Sequence, residues 1–436
     1  MILRLNKIRS KKCQCVVTVM SIMKIFQFIN VRNHYVIQSC LVISFITVTI
    51  WITTVLRKKK KNKLNAQQCV NKKKISIPLV IITGCDTGLG YSIVTRYLKG
   101  EHLNKNQNNS KIYNMLFSNN KALLVPNKIA IIAFCLNPNS PGAKCLVQLS
   151  LENNNIQLFV RQLNLTDNDS IKTGVTFVTD LLQQNVDTIG QHNETVVLKY
   201  ELHALVNNAA RMVMAEYEWQ TSKMIKEQFE VNILGPIKLT AMLLPTFRKD
   251  KSRVINVISH CAYLPLPGVS IYGATKAAVR AWTLGTRVEL DIHGIKMITF
   301  SPGSFYLHSS IMNGQQRMID YKEMCNNMNK EQLAYYGAFM FAYQNYLGNI
   351  DVYISPPETT IPSTNKIYCQ MDDALWAVQP KAEYNVREPW RYRIYFAVAW
   401  TLSSLGLHYF KDKVVRQFVA TPQFHNDIAS QVENVS

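Results

Sequence analysis

The stretch TGCDTGLG, Thr83 to Gly90, places three glycines within seven residues and directly follows the largely apolar run Ile77–Ile82. Ordered glycine costs backbone entropy, so such a cluster is typical of a turn that another group approaches closely. A helix is expected from Leu89, because Leu89, Ile93 and Tyr97 fall on one helical face. A glycine-rich turn between a buried strand and a helix is where a doubly wound sheet holds a dinucleotide, with the pyrophosphate at the helix N-terminus.

Short apolar runs alternate with helical patterns along the chain that follows. After a first strand at Ile77–Thr83, strands are predicted at 128–136, 156–165, 202–210, 253–259 and 295–303, with a long helix at 222–248 and another after Tyr272. Continuous apolar strands separated by helices indicate a parallel sheet covered on both faces. The predicted fold class is therefore α/β, a Rossmann-like doubly wound parallel sheet over 76–303 with a polar insertion at about 100–121. Residues 304–436 are expected to form a helical substrate lobe and a C-terminal membrane-associating segment.

The net charge of +21 is concentrated at the N-terminus of the chain. Residues 1–74 hold 16 Lys or Arg and no acidic residue, which leaves 33 basic and 28 acidic residues in the rest of the chain. A duplex-binding protein usually carries its basic residues on the folded domain, so no nucleic-acid partner is expected. The ten cysteines show no CxxC pair and no zinc-type Cys/His spacing, so reduced thiols and no metal site are expected.

An uncharged run of twenty residues, 37–56, lies inside the basic tail and is followed by RKKKKNK. At about 1.5 Å per residue, such a helix spans roughly 30 Å, the thickness of a bilayer core. We predict a basic tail at 1–36, a single transmembrane helix at 37–56 and a basic linker at 57–75, with the folded domain on the cytosolic side. The endoplasmic reticulum is the favoured membrane, and a mitochondrial membrane is the alternative.

Further motifs follow the glycine turn in a fixed order. They are NNAA at Asn207–Ala210, VNILG with Asn232, Ser259 thirteen residues before Tyr272, YGATK with Tyr272 and Lys276, and SPG at Ser301–Gly303. Together they resemble the short-chain dehydrogenase/reductase family. Residues 133–146 and 373–386 are most similar to its membrane-associated branch of 17β-hydroxysteroid and retinol dehydrogenases, to which the mitochondrial 3-hydroxybutyrate dehydrogenase is related.

The chemistry suggested by these residues is proton transfer at a substrate oxygen. Tyr272 and Lys276 are four residues apart and share a helix face, and a nearby cation lowers a phenol pKa. Tyr272 is therefore the candidate general acid/base. A Tyr-x-x-x-Lys pair alone is common on helices, and its partners Ser259 and Asn232 favour the functional interpretation. The resemblance implies that Ser259 binds the same substrate oxygen, that Lys276 binds the nicotinamide ribose, and that Asn232 positions a water linked to Lys276.

The resemblance also implies a nicotinamide cofactor. The candidate contacts are Thr83, Gly84, Asp86, Thr87, Gly88, Leu89, Gly90, Asn137, Asn164, Asn207, Ala209, Tyr272, Lys276, Pro302 and Gly303. Asn137 follows the second strand, and no basic residue occurs near it before Lys144, which favours NAD over NADP. Three positions depart from the family pattern: Asn164 replaces a frequent aspartate, His260 a frequent serine and Leu307 a frequent threonine. A metal site or a Cys/His nucleophile at His260 and Cys261 is not expected, because neighbours on a strand point to opposite faces.

The predicted function is NAD(P)-dependent interconversion of a lipophilic alcohol, of the steroid or retinoid class, and its carbonyl compound. Aromatic residues of the substrate lobe are candidate pocket residues: Phe305, Tyr306, Tyr335, Tyr336, Phe339 and Phe341. A 3-hydroxy acid is the alternative substrate, for which Arg317, Arg387 or Arg391 offers a basic partner. A catalytically idle membrane scaffold is a further alternative. The resemblance implies a homodimer or homotetramer.

Overall fold

The computed structural model describes residues 73–102, 125–153, 155–189, 195–303, 311, 313–351, 366–386, 390–419 and 422. The elements below belong to the compact unit formed by Lys74–Ile189 and Val196–Ser436, apart from the first residues of two strands. The predicted basic tail, transmembrane helix and most of the linker lie outside the described residues, as does nearly all of the insertion at 100–121. Within the described part of the chain, no helix is both long and apolar enough to cross a bilayer.

A single sheet organises the molecule. Its strands are β1 (Lys73–Thr83), β2 (Ile129–Cys135), β3 (Ile156–Gln162), β4 (Asn185–Ile189), β5 (Thr195–Asn207), β6 (Arg253–Val257), β7 (Lys296–Ser301) and β8 (Glu383–Asn385). The strand order is β3-β2-β1-β5-β6-β7-β8, and β4 pairs with β5 at the side. The β1–β2, β2–β3, β5–β6, β6–β7 and β7–β8 pairs are parallel. The strand order reverses between β1 and β5, and such a switch point is where doubly wound sheets bind ligands.

Helices cover the sheet and extend beyond it. They are α1 (Gly88–Leu98), α2 (Pro141–Ser150), α3 (Asn168–Gln183), α4 (Ser222–Phe229), α5 (Gly235–Asp250), α6 (Ser270–Asp291), α7 (Gly314–Asn327), α8 (Lys330–Asp351), α9 (Lys366–Trp376), α10 (Trp390–Ser404) and α11 (His408–Val419). A π-helical turn, Glu230–Leu234, joins α4 to α5.

The predicted α/β class and parallel sheet are confirmed, and several boundaries are corrected. The predicted third strand ends at Gln162, not at 165, and the predicted fourth strand is the longer β5, which ends at Asn207. The predicted single helix 222–248 is two helices separated by the π turn. The short strands β4 and β8 were not predicted. His260 and Cys261 lie in a one-turn 3₁₀ helix, so the expectation that they lie on a strand is wrong.

Alternate residues of β1 enter two different cores. Val80 and Ile82 pack in a cluster with side chains of α1, α2 and α9, whereas Leu79 and Ile81 pack in a cluster with side chains of α3 and α5. Because side chains of a strand alternate between faces, both faces of the sheet are covered. This explains why the strands are continuously apolar.

Candidate active site

The glycine turn brings the end of β1, the start of α1 and the end of β5 into close contact. Gly84 has φ +69°, and a Cβ at that position would lie 2.8 Å from the Ala209 Cα. A Cβ on Gly90 would overlap the Gly84 carbonyl oxygen and lie 2.7 Å from the Asn208 Nδ2. The close approach inferred from the sequence is therefore, in part, an approach of the chain to itself.

Hydrogen bonds from the end of β5 hold this turn in place. Thr83 Oγ1 accepts bonds from the backbone N–H groups of Asn208 (3.0 Å) and Ala209 (3.1 Å). Asn208 Nδ2 donates to the carbonyl oxygens of Thr83 (2.9 Å) and Gly84 (3.1 Å). Asn208 and Ala209 line the cleft beside the turn, so Asn208 is a site residue that was not predicted from the sequence.

Asn207 points the other way. Its Nδ2 donates to Asn256 Oδ1 over 2.8 Å and to Thr240 Oγ1 over 3.3 Å, and the residue is buried. Successive residues at a strand end face opposite sides of the sheet, so Asn208, not Asn207, presents its side chain to the cleft. The Asn207 side chain therefore does not line the cleft, and a cofactor contact at Asn207 stays a prediction.

The far end of the cleft is built around Asp86. Its carboxylate accepts bonds from the backbone N–H groups of Leu136 (2.8 Å) and Asn137 (3.0 Å), which follow β2. Asn137 Oδ1 accepts a bond from Asn139 N, and Asn164 Oδ1 accepts bonds from Thr166 N and Oγ1. These groups line the cleft while holding their own loops in place.

The predicted catalytic residues meet on the cleft wall between β6 and α6. Ser259 lies near Tyr272 and lowers its pKa, and Ser259 Oγ accepts a bond from Cys261 N over 3.2 Å. Lys276 Nζ donates to the Val257 carbonyl oxygen over 2.9 Å. Lys276 Nζ lies 5.8 Å from the centre of the Tyr272 ring. All three side chains line the same cleft as Thr83, Gly84 and Thr87, together with Pro302 and Gly303.

Burial, not the neighbouring cation, sets the proton affinity of Tyr272. Desolvation raises the pKa of Tyr272 well above its usual value, Cys261 adds to this increase by like-charge repulsion, and Ser259 opposes it. Burial also lowers the pKa of Lys276 to about 8. The expected lowering of the phenol pKa by Lys276 is therefore wrong for these groups. Tyr272 is protonated at neutral pH.

Asn232 lies in the π turn between α4 and α5, and its amide is fully engaged. Its Oδ1 accepts a bond from Arg211 N over 2.7 Å. Its Nδ2 donates to the Arg211 carbonyl oxygen over 2.8 Å and to Thr275 Oγ1 over 2.9 Å. The side chain therefore joins the loop after β5 to α6 beside Lys276. π turns of this kind often mark functional sites.

The cleft has an open volume of about 2110 Å³. A drug-sized ligand site occupies ~300–1,000 Å³, so there is room for a dinucleotide and a second molecule. Many of the side chains around Tyr272 are apolar. They come from the segments after β5, β6 and β7 and from α10 and α11: Met212, Met214, Leu266, Val269, Ile311, Tyr395, Val398 and Phe418.

The aromatic residues predicted for the pocket do not line this cleft where they are described. Phe339 packs with Trp219, Tyr336 donates to Glu218, and Tyr335 and Phe341 are mostly exposed. Phe305, Tyr306 and Leu307 lie outside the described residues. Aromatic lining comes instead from α10 and α11, a part of the chain whose sequence indicates a helix near the membrane.

The residues around the turn fit a dinucleotide. The N-terminus of α1 opens onto the cleft through Thr87 and Leu89, and its first turn has no acidic side chain. The helix dipole and the N–H groups of that turn favour an anion such as pyrophosphate. Gly84 leaves no side chain between the cleft and the backbone.

Comparison with known proteins agrees with this geometry. A short chain dehydrogenase family model matches residues 123–317, a range that holds Ser259, Tyr272 and Lys276 but begins after the glycine turn. Estradiol 17-beta-dehydrogenase 2 of Mus musculus is 26% identical over 309 residues, covering 70% of this chain and 67% of that protein. The mitochondrial D-beta-hydroxybutyrate dehydrogenase of Rattus norvegicus is 24% identical over 306 residues, covering 70% and 76% of the two chains.

A third relative, short-chain dehydrogenase/reductase family 9C member 7 of Mus musculus, is 25% identical over 320 residues, covering 73% of this chain and 84% of that protein. This chain matches the short-chain dehydrogenase family over residues 123–317, and about 70% of its length is similar to the three relatives above. It is an oxidoreductase of CH–OH groups, and its cofactor is NAD or NADP.

Proposed function

We propose that this protein interconverts a hydrophobic alcohol, of the steroid or retinoid class, and its carbonyl compound. The observation that carries the proposal is that Ser259, Tyr272 and Lys276 line one cleft that also contains the glycine turn. Nucleotide-binding and proton-transferring groups thus face the same space. That combination is what hydride transfer to or from an alcohol carbon requires.

In this proposal Tyr272 moves the proton at the substrate oxygen. In reduction the protonated phenol donates its proton to the oxygen, and in oxidation Tyr272 must first lose that proton. Ser259 holds the same oxygen, and Lys276 supplies a positive charge beside the phenol. The nicotinamide, when bound, supplies or accepts the hydride. Because burial raises the pKa of Tyr272, oxidation is expected to accelerate as the pH rises.

The lining of the cleft supports an uncharged substrate. The described residues that line it include five basic and five acidic side chains, so the cleft has no excess charge that would attract an ionised molecule. The wall near Tyr272 is apolar, with Met212, Met214, Leu266 and Tyr395. A relative named for estradiol is consistent with this class. The contribution of α7, α10 and α11 to the cleft supports a substrate lobe within 304–436, while α9 and β8 of that range belong to the sheet domain.

NAD is the cofactor that the far end of the cleft favours. The carboxylate of Asp86 lies against the backbone of Leu136 and Asn137, where a 2′-phosphate would approach. In the described part of the chain, none of the basic side chains lining the cleft comes from the glycine turn or the end of β2. A negative charge without a basic partner disfavours the extra phosphate of NADP.

Membrane association is the second part of the proposal. The turn between α10 and α11 exposes Trp400, Leu405, Leu407, Tyr409 and Phe410, each at least 41% accessible. Apolar and aromatic side chains of this kind enter the interfacial layer of a bilayer. With the uncharged run at 37–56, they would keep the protein where lipophilic alcohols partition. A homodimer or homotetramer, in the endoplasmic reticulum or a mitochondrial membrane, remains the expectation.

Oxidation of a 3-hydroxy acid is the second candidate function. Arg391 lines the cleft, and a relative named for D-beta-hydroxybutyrate is 24% identical. Arg317 donates to the Gln344 carbonyl oxygen outside this cleft, and Arg387 lies outside the described residues. Arg391 is therefore the basic side chain that supports this alternative.

A substrate panel separates the candidates. The purified protein is incubated with NAD and, in separate reactions, with estradiol, retinol and 3-hydroxybutyrate, and NADH formation is followed by absorbance. NADH from a steroid or retinol supports the proposal, whereas NADH from hydroxybutyrate alone supports the second candidate. Absence of nicotinamide binding by calorimetry would favour an idle scaffold.

A further inference from the structure

Arg211 connects the catalytic helix to the wall of the substrate cleft. Its backbone is held at two points by Asn232, whose Oδ1 accepts from Arg211 N over 2.7 Å and whose Nδ2 donates to the Arg211 carbonyl oxygen over 2.8 Å. The same Nδ2 donates to Thr275, which precedes Lys276 on α6. The position of the Arg211 backbone is therefore tied to the helix that carries Tyr272 and Lys276.

The Arg211 side chain extends from this fixed backbone to α7. Its Nη2 lies 2.5 Å from Asp320 Oδ1, and its Nη1 donates to the Met212 carbonyl oxygen over 3.0 Å. Gln316, one turn earlier on α7, donates to the same Asp320 oxygen over 3.0 Å. The Asp320 side chain is 8% exposed and that of Arg211 21% exposed, so solvent screens this ion pair weakly.

The described residues beside the Arg211–Asp320 pair, where α7 borders the cleft, are not closely packed. A cavity of about 110 Å³ lies between the loop after β5 and the start of α7, lined by Met212, Gln316 and Asp320 among others. The apolar anchor of α7 is Met324, one turn further on, which packs in a cluster with Trp219. Among the described residues, the Arg211–Asp320 pair ties the first two turns of α7 to the loop after β5, and Glu323, further along α7, accepts bonds from Thr221 and Lys223.

We propose that the Arg211–Asp320 ion pair is a latch that fixes α7 as a wall of the substrate cleft relative to Tyr272 and Lys276. Arg211 and Asp320 are positioning residues: neither takes part in proton transfer, and both determine how well the cleft holds the alcohol. This inference rests on the proposed function only for its effect on substrate; the latch itself is a property of the fold.

Kinetics with paired variants test the effect on substrate. Arg211→Met and Asp320→Asn should each raise the KM for the alcohol about tenfold or more, with kcat changed less than about threefold. The reason is that both variants loosen α7, which lines the substrate cleft, and leave the proton donor Tyr272 in place. The calorimetric Kd for NAD should stay within about twofold. The double variant should be no worse than the worse single variant, as expected for two partners of one interaction. Lys322→Met, which removes a cation from the same helix, is the matched control.

Amide hydrogen exchange tests the latch without any turnover. Exchange in the first two turns of α7 should accelerate in Arg211→Met and in Asp320→Asn, and should stay as in the wild type in Lys322→Met. Arg211→Lys, which keeps the charge, should restore part of the protection. Circular dichroism shows whether each variant is folded. If Arg211→Met does not fold, the nearly isosteric Asp320→Asn still tests the ion pair.

Unchanged α7 exchange in the folded variants, or additive losses in the double variant, would overturn the latch. If the wild type oxidises none of the alcohols yet α7 exchange responds as expected, the proposed function fails and the latch stands.

Discussion

Tyr272 has two neighbours that act on its proton in opposite directions. Ser259 favours the phenolate and lowers the pKa of Tyr272, whereas the sulfur of Cys261 raises it by like-charge repulsion. Both side chains lie within the same short turn, and Cys261 packs against the Tyr272 ring. The sequence around residue 260 therefore adjusts the acid/base group itself.

Replacing these neighbours should move the pH profile of alcohol oxidation in opposite directions. Because the phenolate is the base, Cys261→Ala should lower the pKa of Tyr272 and shift the rising limb of kcat/KM to lower pH. Ser259→Ala should raise that pKa and shift the limb to higher pH, with a lower rate at every pH. The measurement is kcat/KM for oxidation from about pH 6 to 10. Because the pKa of Tyr272 lies above this range, activity should rise throughout it, and a change in that pKa should displace the rising limb along the pH axis. Shifts of the same sign would contradict this account.

Tyr272 and Lys276 were predictable because they lie four residues apart on one helix, and Ser259 was predictable from the resemblance to the family. The orientation of Asn207 could not be predicted, because both asparagines of NNAA are equally polar. The end of β5 determines which of the two side chains faces the cleft. The pKa direction also could not be predicted. Spacing places Lys276 near Tyr272, whereas burial, which dominates, depends on Met212, Val269 and other residues outside that helix face.

At the scale of one element, the glycine turn has no room for a side chain at Gly84 or Gly90, because neighbouring parts of the chain lie too close. Gly90→Ala should weaken NAD binding and destabilise the fold, because its Cβ would meet the Gly84 carbonyl oxygen and the Asn208 amide. Gly285→Ala is the matched control, since Gly285 lies in α6 and a Cβ added there would have no heavy atom within 4 Å. There the substitution should stabilise the helix by roughly 0.4–1 kcal/mol.

Thermal unfolding and calorimetric NAD titration measure both effects. Equal behaviour of the two alanine variants would show that the turn tolerates a side chain and would contradict the packing described here.

Element types followed from periodicity, and the irregular features did not. Apolar runs predicted β1 and β2, and apolar pairs on either side of Asn256 predicted β6, whereas β8 is three residues long and carries no pattern. The π turn at Glu230–Leu234 has the same composition as an ordinary helix, so sequence periodicity joined α4 and α5. Such turns are set by what the extra residue contacts, here Arg211 and Thr275 through Asn232.

At the scale of the whole molecule, a buried ion pair joins the first helix to the last part of the sheet domain. Arg96 and Asp372 make two bonds of 2.8 Å, with side chains 3% and 0% exposed. Tyr97 also donates to Asp372, and Trp376 donates to the Tyr97 hydroxyl. This network fixes α9 against α1 behind the glycine turn.

Asp372→Asn should reduce the free energy of unfolding by about 3–5 kcal/mol, because it leaves the buried Arg96 charge without its partner. Asp169→Asn breaks the exposed Asp169–Lys172 pair and should leave stability almost unchanged. Urea unfolding followed by fluorescence compares them. Similar losses in both variants would mean that burial does not set the strength of the Arg96–Asp372 pair.

Contacts of this range were beyond prediction from the sequence. Residues 373–386 resemble the family in sequence, but that resemblance did not predict that α9 packs against α1. Likewise α10 and α11 line the cleft, whereas the sequence predicted a substrate lobe and a membrane-associating segment without placing these helices against the cleft. Both placements depend on partners more than 100 residues away, and local patterns carry no information about them.

The central claim, that Tyr272 transfers the proton at the substrate oxygen, is tested most directly by the turnover of Tyr272→Phe. Tyr263→Phe is the control, because the Tyr263 hydroxyl lies outside the cleft and bonds Glu383 and Asn385. With an alcohol that the wild type oxidises, Tyr272→Phe should lose about 10²–10⁴-fold in kcat while calorimetry shows an unchanged Kd for NAD. Tyr263→Phe should keep wild-type turnover. A Tyr272→Phe protein that retains wild-type kcat would contradict the account.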